Sequence, residues 1–168
     1  LKNFLKKIHI KMYNERYSIG PGRITPIIKK LIIINLLIFA FQYFTHNRFI
    51  EIFGLVPESV FKKLMVWQVF TYMFLHGGFW HLFFNMLSLW MFGTELEEEW
   101  GSNEFFKFYT VTGVGAGIIS GIITFVYSPH SVTIGASGAI YGVLLAYGLT
   151  YPERTITLML FFIIPITI

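Results

Sequence analysis

Apolar positions in this chain fall in long blocks, not in the alternation of elements that keep one face wet. Blocks about as long as a bilayer's hydrocarbon core is thick predict membrane-spanning helices. The first runs from about Ile27 or Leu31 to Phe44, with Asn35 and Gln42 inside it. A second begins near Gly77 and Gly78 and continues from Phe79 to Gly93, and a third covers roughly Phe105 to Tyr127. In the third, Gly113, Gly117 and Gly121 recur every fourth residue, a smooth stripe that lets a neighbouring helix come close. A fourth follows the turn around Ser128, Pro129 and His130 and continues to about Tyr151. A fifth starts after Tyr151-Pro152-Glu153-Arg154 and is cut by the end of the chain at Ile168. The expected fold is all-α, a polytopic transmembrane helical bundle of four complete spans and a truncated fifth. Residues 31–168 would form one transmembrane domain behind a basic segment, residues 1–30.

Between the first two blocks, residues 45 to 75 are too long for a hairpin and too apolar for a linker. With Lys62 and Lys63 on one side and aromatic residues on the other, they predict a structured element lying partly in the membrane interface. An ordinary amphipathic loop explains the same pattern.

Composition supports the bilayer as solvent. Of 168 residues, 55% are hydrophobic and only 13% charged, and the mean hydropathy is +0.63; a soluble domain of this length cannot cover that much apolar surface. The absence of cysteine removes disulfides, thiolate metal sites and thiol nucleophiles from consideration. Lys2, Lys6, Lys7, Lys11, Arg16, Arg23, Lys29 and Lys30 all precede the first long apolar run, which predicts a cytoplasmic N-terminus in a cell membrane and not a nucleic-acid site. No small-residue cleavage site follows a short apolar core, so a cleavable signal peptide is not expected. A start at Leu1 and a stop inside an apolar run read as a fragment.

From this internal N-terminus the spans alternate in direction, so the second and fourth both begin at the outer surface. That places His81 and Asn85, early in the second, at the same shallow depth as Ser137, early in the fourth. Glu95, Glu97, Glu98 and Glu99 then fall in a cytoplasmic turn. Ser137 stands in Thr133-Ile-Gly-Ala-Ser-Gly-Ala-Ile-Tyr-Gly142, among residues small enough for backbones to pack against it. Taken alone it would bond back to a carbonyl one turn earlier or fill a small-residue packing face. His81 and Asn85, four apart on a helix, point the same way. Polar groups of this kind in a span either tie helices together or face a cavity. A metal on His76 and His81 would want carboxylates or thiolates to complete it, and none is near at that depth. Read from the residues, a serine flanked by glycines with a His and an Asn suggests acyl transfer: Ser137 as nucleophile, His81 as base, Asn85 orienting it.

Gly-Ala-Ser-Gly-Ala at 135–139, the spacing His76-x4-His81-x3-Asn85, and Glu97-Glu-Glu-Trp-Gly101 together resemble the rhomboid family of intramembrane serine proteases. The resemblance implies a rhomboid-like bundle with Ser137 as nucleophile. It makes His81 and Asn85 donors to an oxyanion hole, alongside the Ser137 N–H. On the same resemblance Tyr141 would pack against the catalytic histidine, while Gly135, Gly138 and His76 would support the site. In the family the base comes from a sixth span, so the 168 residues by themselves are expected to be inactive. Substrates would be single-span membrane proteins cut near the outer face, with no cofactor or metal; water would reach Ser137 past Thr71, His76, Gly77 and Gly78. The alternative is a rhomboid-like protein that binds membrane helices without cutting them. A transporter would want more buried charge than Lys107 near one end of a span. Trp67-Gln68, where many members have Trp-Arg, puts the anchoring of the outer loop in question.

Overall fold

Pro26 opens the first helix, α1 (Pro26–Thr45), at the position where a missing N–H costs nothing. The computed structural model describes residues 23–45, 47–153, 155–160 and 162–167; residues 1–22 of the expected basic segment lie outside these. Lys29 and Lys30 are already helical, so the first span starts before residue 31. The buried residues Ile28, Leu31, Asn35 and Gln42 follow one face of α1. Ile33, Leu36, Leu37, Phe41 and Phe44 point outward, as lipid-facing positions should.

The connection is structured, with α2 (Asn47–Phe53), α3 (Pro57–Lys63), α4 (Gln68–Thr71) and a 3-10 turn at Tyr72–Phe74. Then come α5 (Phe79–Ser88), a π turn (Leu89–Gly93) and α6 (Thr94–Trp100) without a break. The glutamates expected in a turn are therefore helical, and the chain reverses only at Gly101, where φ is +83°. α7 (Ser102–Tyr127) and α8 (Ser137–Thr150) pack against each other along their lengths. Among the described residues α1 and α7 are long and apolar enough to cross a membrane.

The glycine stripe on α7 admits more than a helix. A Cβ at Gly113 would collide with Met73 Cε, and one at Gly117 would sit 2.6 Å from Tyr72 Cε1, so the connection packs into the stripe. α8 brings its own glycine: a Cβ at Gly138 would stand 2.7 Å from Ala116 Cβ. The Tyr72 hydroxyl completes the junction by donating to the Gly113 carbonyl at 2.7 Å.

One expectation fails at the C-terminal end. Residues beyond Arg154 form antiparallel strands, β1 (Thr155–Leu160) and β2 (Phe162–Thr167), paired from Thr155 with Thr167 to Leu160 with Phe162, and not a fifth helix. A short apolar run does not separate helix from strand. The run is rich in β-branched residue types, which favour strand, and its proline does not suit a helix interior.

Candidate active site

Ser137 is the first residue of α8. The first intrahelical bond there runs from Ile140 N–H to the Ala136 carbonyl at 3.0 Å. The N–H groups of Ser137, Gly138 and Ala139 therefore precede the ladder and stand at the positive end of the helix dipole. At 14 residues α8 is only about 21 Å long, so irregular backbone leads into it. Such backbone is tolerated at membrane depth only when protein satisfies it. Thr133 and Leu55 exchange both backbone hydrogen bonds, at 2.9 and 3.0 Å, and Gly135 N–H donates to the Tyr72 carbonyl at 2.9 Å. The connection between α1 and α5 thus holds the extended backbone that delivers the serine.

His81, Asn85, Ser137 and Tyr141 line one cavity of about 400 Å³. The residues expected at one depth thus share one cavity. Gly135 lies beside it with φ +122°, and a Cβ there would be 2.7 Å from His81 Cε1 and Nε2. Only glycine lets the backbone take that turn against the imidazole. Gly138 faces Ala116 and the Tyr72 hydroxyl, on the far side of the helix start.

The hydrogen bonds decide which groups can act. Gly77 N–H donates to His81 Nδ1 at 3.3 Å, which assigns the imidazole proton to Nε2, the nitrogen beside Gly135. Asn85 spends one N–H on the His81 carbonyl at 2.7 Å and keeps a second. Ser137 Oγ makes no hydrogen bond to a described residue. The set thus offers three kinds of N–H donor around the serine hydroxyl, and no base bonded to it.

His76 sits in the turn before α5, 2% exposed, its ring 5.1 Å from that of His81. Neither ring nitrogen has a hydrogen-bond partner among the described residues. Burial first, and then the neighbouring His81, push its pKa down to about 4, so it is neutral. Its backbone is clamped by Gln42, whose amide donates to the His76 carbonyl and accepts from its N–H, both at 3.1 Å.

A family model described as a rhomboid domain matches residues 63–168, a span that holds every residue of this cavity. The chain belongs to the rhomboid family. It is 39% identical to rhomboid protease GluP of Bacillus subtilis over 100 residues, which are 60% of this chain and 19% of that protein. It is 33% identical to RHOMBOID-like protein 1 of Arabidopsis thaliana over 114 residues, 63% of this chain and 28% of the relative. With rhomboid protein 1, mitochondrial, of Saccharomyces cerevisiae the identity is 35% over 95 residues, 52% and 26% of the two chains. The chain thus spans less than a third of the length of these rhomboid relatives.

The loop whose anchoring Gln68 put in question is held by that residue. Gln68 is fully buried; its Oε1 accepts from Val56 N–H at 3.0 Å and its Nε2 donates to the Glu51 and Ile52 carbonyls at 3.2 Å. Trp67 Nε1 donates to the same Ile52 carbonyl at 3.0 Å. A neutral amide with both ends used anchors the loop. Sequence reasoning missed Ser88, which lines the cavity three residues after Asn85. The spacing 81, 85, 88 along one helical face was the available signal. The roles of Gln42 and Tyr72 left no such trace, because both act through partners remote in the chain.

Proposed function

We propose that this chain is part of an intramembrane serine endopeptidase that cleaves single-span membrane proteins near the outer membrane face. Ser137 Oγ attacks the scissile carbonyl carbon and loses its proton to a base. The oxyanion formed is met by the Ser137 N–H, His81 Nε2–H and the free N–H of Asn85. The C–N bond then breaks, the amine leaves with the proton, and water releases the acyl group from Ser137. The observation that carries this reading is Ser137 at the start of a helix, its N–H unspent on any described residue, across one cavity from His81 and Asn85.

His81 serves poorly as the base. With its proton on Nε2 it presents a donor, not a lone pair, on the side of Gly135 and Ser137. We assign the base to a histidine on a further span, as the family likeness implies, and Tyr141, 72% exposed at the cavity, to packing against it. The 168 residues alone are then inactive. The transmembrane domain begins with α1, the N-terminus is cytoplasmic, and the bilayer is that of a cell.

A second reading has its own support: Ser137 Oγ is bonded to no described base, which suits a rhomboid-like protein that holds membrane helices without cutting them. Labelling by a fluorophosphonate probe separates the two. The 168-residue chain, the chain extended through a further span, and Ser137→Ala of each are compared. Labelling of the extended wild type alone supports the protease. Equal labelling of the short chain would make His81 the base, and none in any folded chain would favour the binder.

A further inference from the structure

At the opposite end of α1 from the Ser137 cavity lies a second one, of about 640 Å³. Three cations line it, Arg23, Lys29 and Lys30, against one carboxylate, Glu98. None of the three forms an ion pair with a described residue. The neighbouring carboxylate that would have neutralised them, Glu97, is turned inward and spent on Thr25, Ile27, Ile28 and Ser102. Ile24 and Ile33 supply the apolar part of the wall, 43% and 44% exposed. Lys29 and Lys30 lie four and three residues before Ile33, so their ammonium groups and this isoleucine share a face about one turn apart.

The position completes the picture. Gln42, near the C-terminal end of α1, holds the backbone of His76, whose ring packs against His81 of the Ser137 cavity, and the first residues of α1 hold Glu97. A helix of 20 residues, about 30 Å, separates the two ends, which is the thickness of a hydrocarbon core. The second cavity therefore sits at the other membrane interface, where cations snorkel over apolar residues.

We propose that this cavity binds the phosphodiester headgroup of an acidic phospholipid, with Arg23, Lys29 and Lys30 on the phosphate and Ile24 and Ile33 along the first carbons of the acyl chains. The charge excess selects an anion, and the outward-facing isoleucines select one attached to a hydrocarbon chain. A basic side chain near an anionic lipid surface is worth about fivefold in binding.

Native mass spectrometry of the whole chain tests this, after exchange into micelles holding equal phosphatidylglycerol and phosphatidylcholine. The wild type should retain phosphatidylglycerol at least about tenfold over phosphatidylcholine. In Arg23→Gln/Lys29→Gln/Lys30→Gln the preference should fall below about twofold, while Lys62→Gln/Lys63→Gln, on the connection, leaves it unchanged. Arg23→Gln alone, ahead of the helix and exposed, should lower it without touching the fold. An undiminished preference in the folded triple or single variant overturns the proposal, as does a wild type with none. Displacement of the lipid by millimolar inorganic phosphate would make the ligand a free anion, and overturn the lipid assignment too.

Discussion

The two ends of α1 treat polar groups in opposite ways. At the N-terminal end a single carboxylate, Glu97, accepts from the Thr25 and Ser102 hydroxyls and from the N–H groups of Ile27 at 2.9 Å and Ile28 at 3.0 Å. One side chain thus caps α1 and ties it to the start of α7. At the C-terminal end Gln42 fixes the His76 backbone, but what surrounds it is left open. Among the described residues both His76 ring nitrogens are unpartnered, Ser137 Oγ is unbonded, and the first N–H groups of α8 are unspent. Leaving donors unpaired in an apolar setting costs stability, and it is tolerated where a reacting group can use them. Glu97 is saturated and built to hold, though Thr94 Oγ1 three residues before it has no partner among the described residues; the donors around Ser137 are left to receive.

The sharpest break of that contrast comes at the open end, in a chain that carries the whole catalytic set. His81→Ala and Asn85→Ala should each slow peptide cleavage by about 10²–10³-fold, measured on a single-span substrate in proteoliposomes, and leave the melting curve nearly unchanged. Loss as complete as that of Ser137→Ala at His81 would return the base to this residue. Gly135→Ala should cost about 2–3 kcal/mol, read from unfolding in a denaturing detergent. Its Cβ meets the His81 ring at 2.7 Å at a φ of +122°, so it should slow cleavage as well. An unchanged rate would mean that His81 is not positioned by this contact.

At the saturated end Glu97→Gln should cost about 1–2 kcal/mol of stability and leave cleavage within about twofold at a temperature where the chain stays folded. Burial alone would raise the Glu97 carboxyl, but the bonds from Ser102, Thr25, Ile27 and Ile28 outweigh it and hold its pKa below the usual value. Stability from this group is therefore present above the unfolded carboxyl's pKa and lost as pH falls through the lower folded one. In Glu97→Gln that acid-side loss should flatten. A rate that fell with stability here would mean that the two ends are coupled through α1.

Much of this molecule was legible from local pattern. Apolar blocks marked α1, α5, α7 and α8 within a few residues, because lipid as solvent demands long apolar helices whatever they pack against. The spacing of His81 and Asn85 set them on one face, because helical geometry is local. The small residues around Ser137 signalled a close approach for the same reason.

Other features depended on partners far along the chain, which no window of sequence contains. Gln68 reads as a substitution in a motif, but its partners are the backbones of residues 51, 52 and 56. The glycine stripe of α7 predicted a neighbouring helix and received Met73 and Tyr72 from the connection as well. Glu97, one of a run of similar acids, is singled out only by the donors folding brings to it. The strands after Arg154 show the limit from the other side: an apolar run of that length suits helix and strand alike, and only cross-strand pairing separates them. By itself the sequence determined which segments are long apolar blocks and which residues share a face of a helix, since both follow from composition and from helical repeat. The tertiary structure alone decided that Ser137, His81 and Asn85 share one cavity and that His81 Nδ1 accepts from Gly77, since distances between remote segments are set by packing.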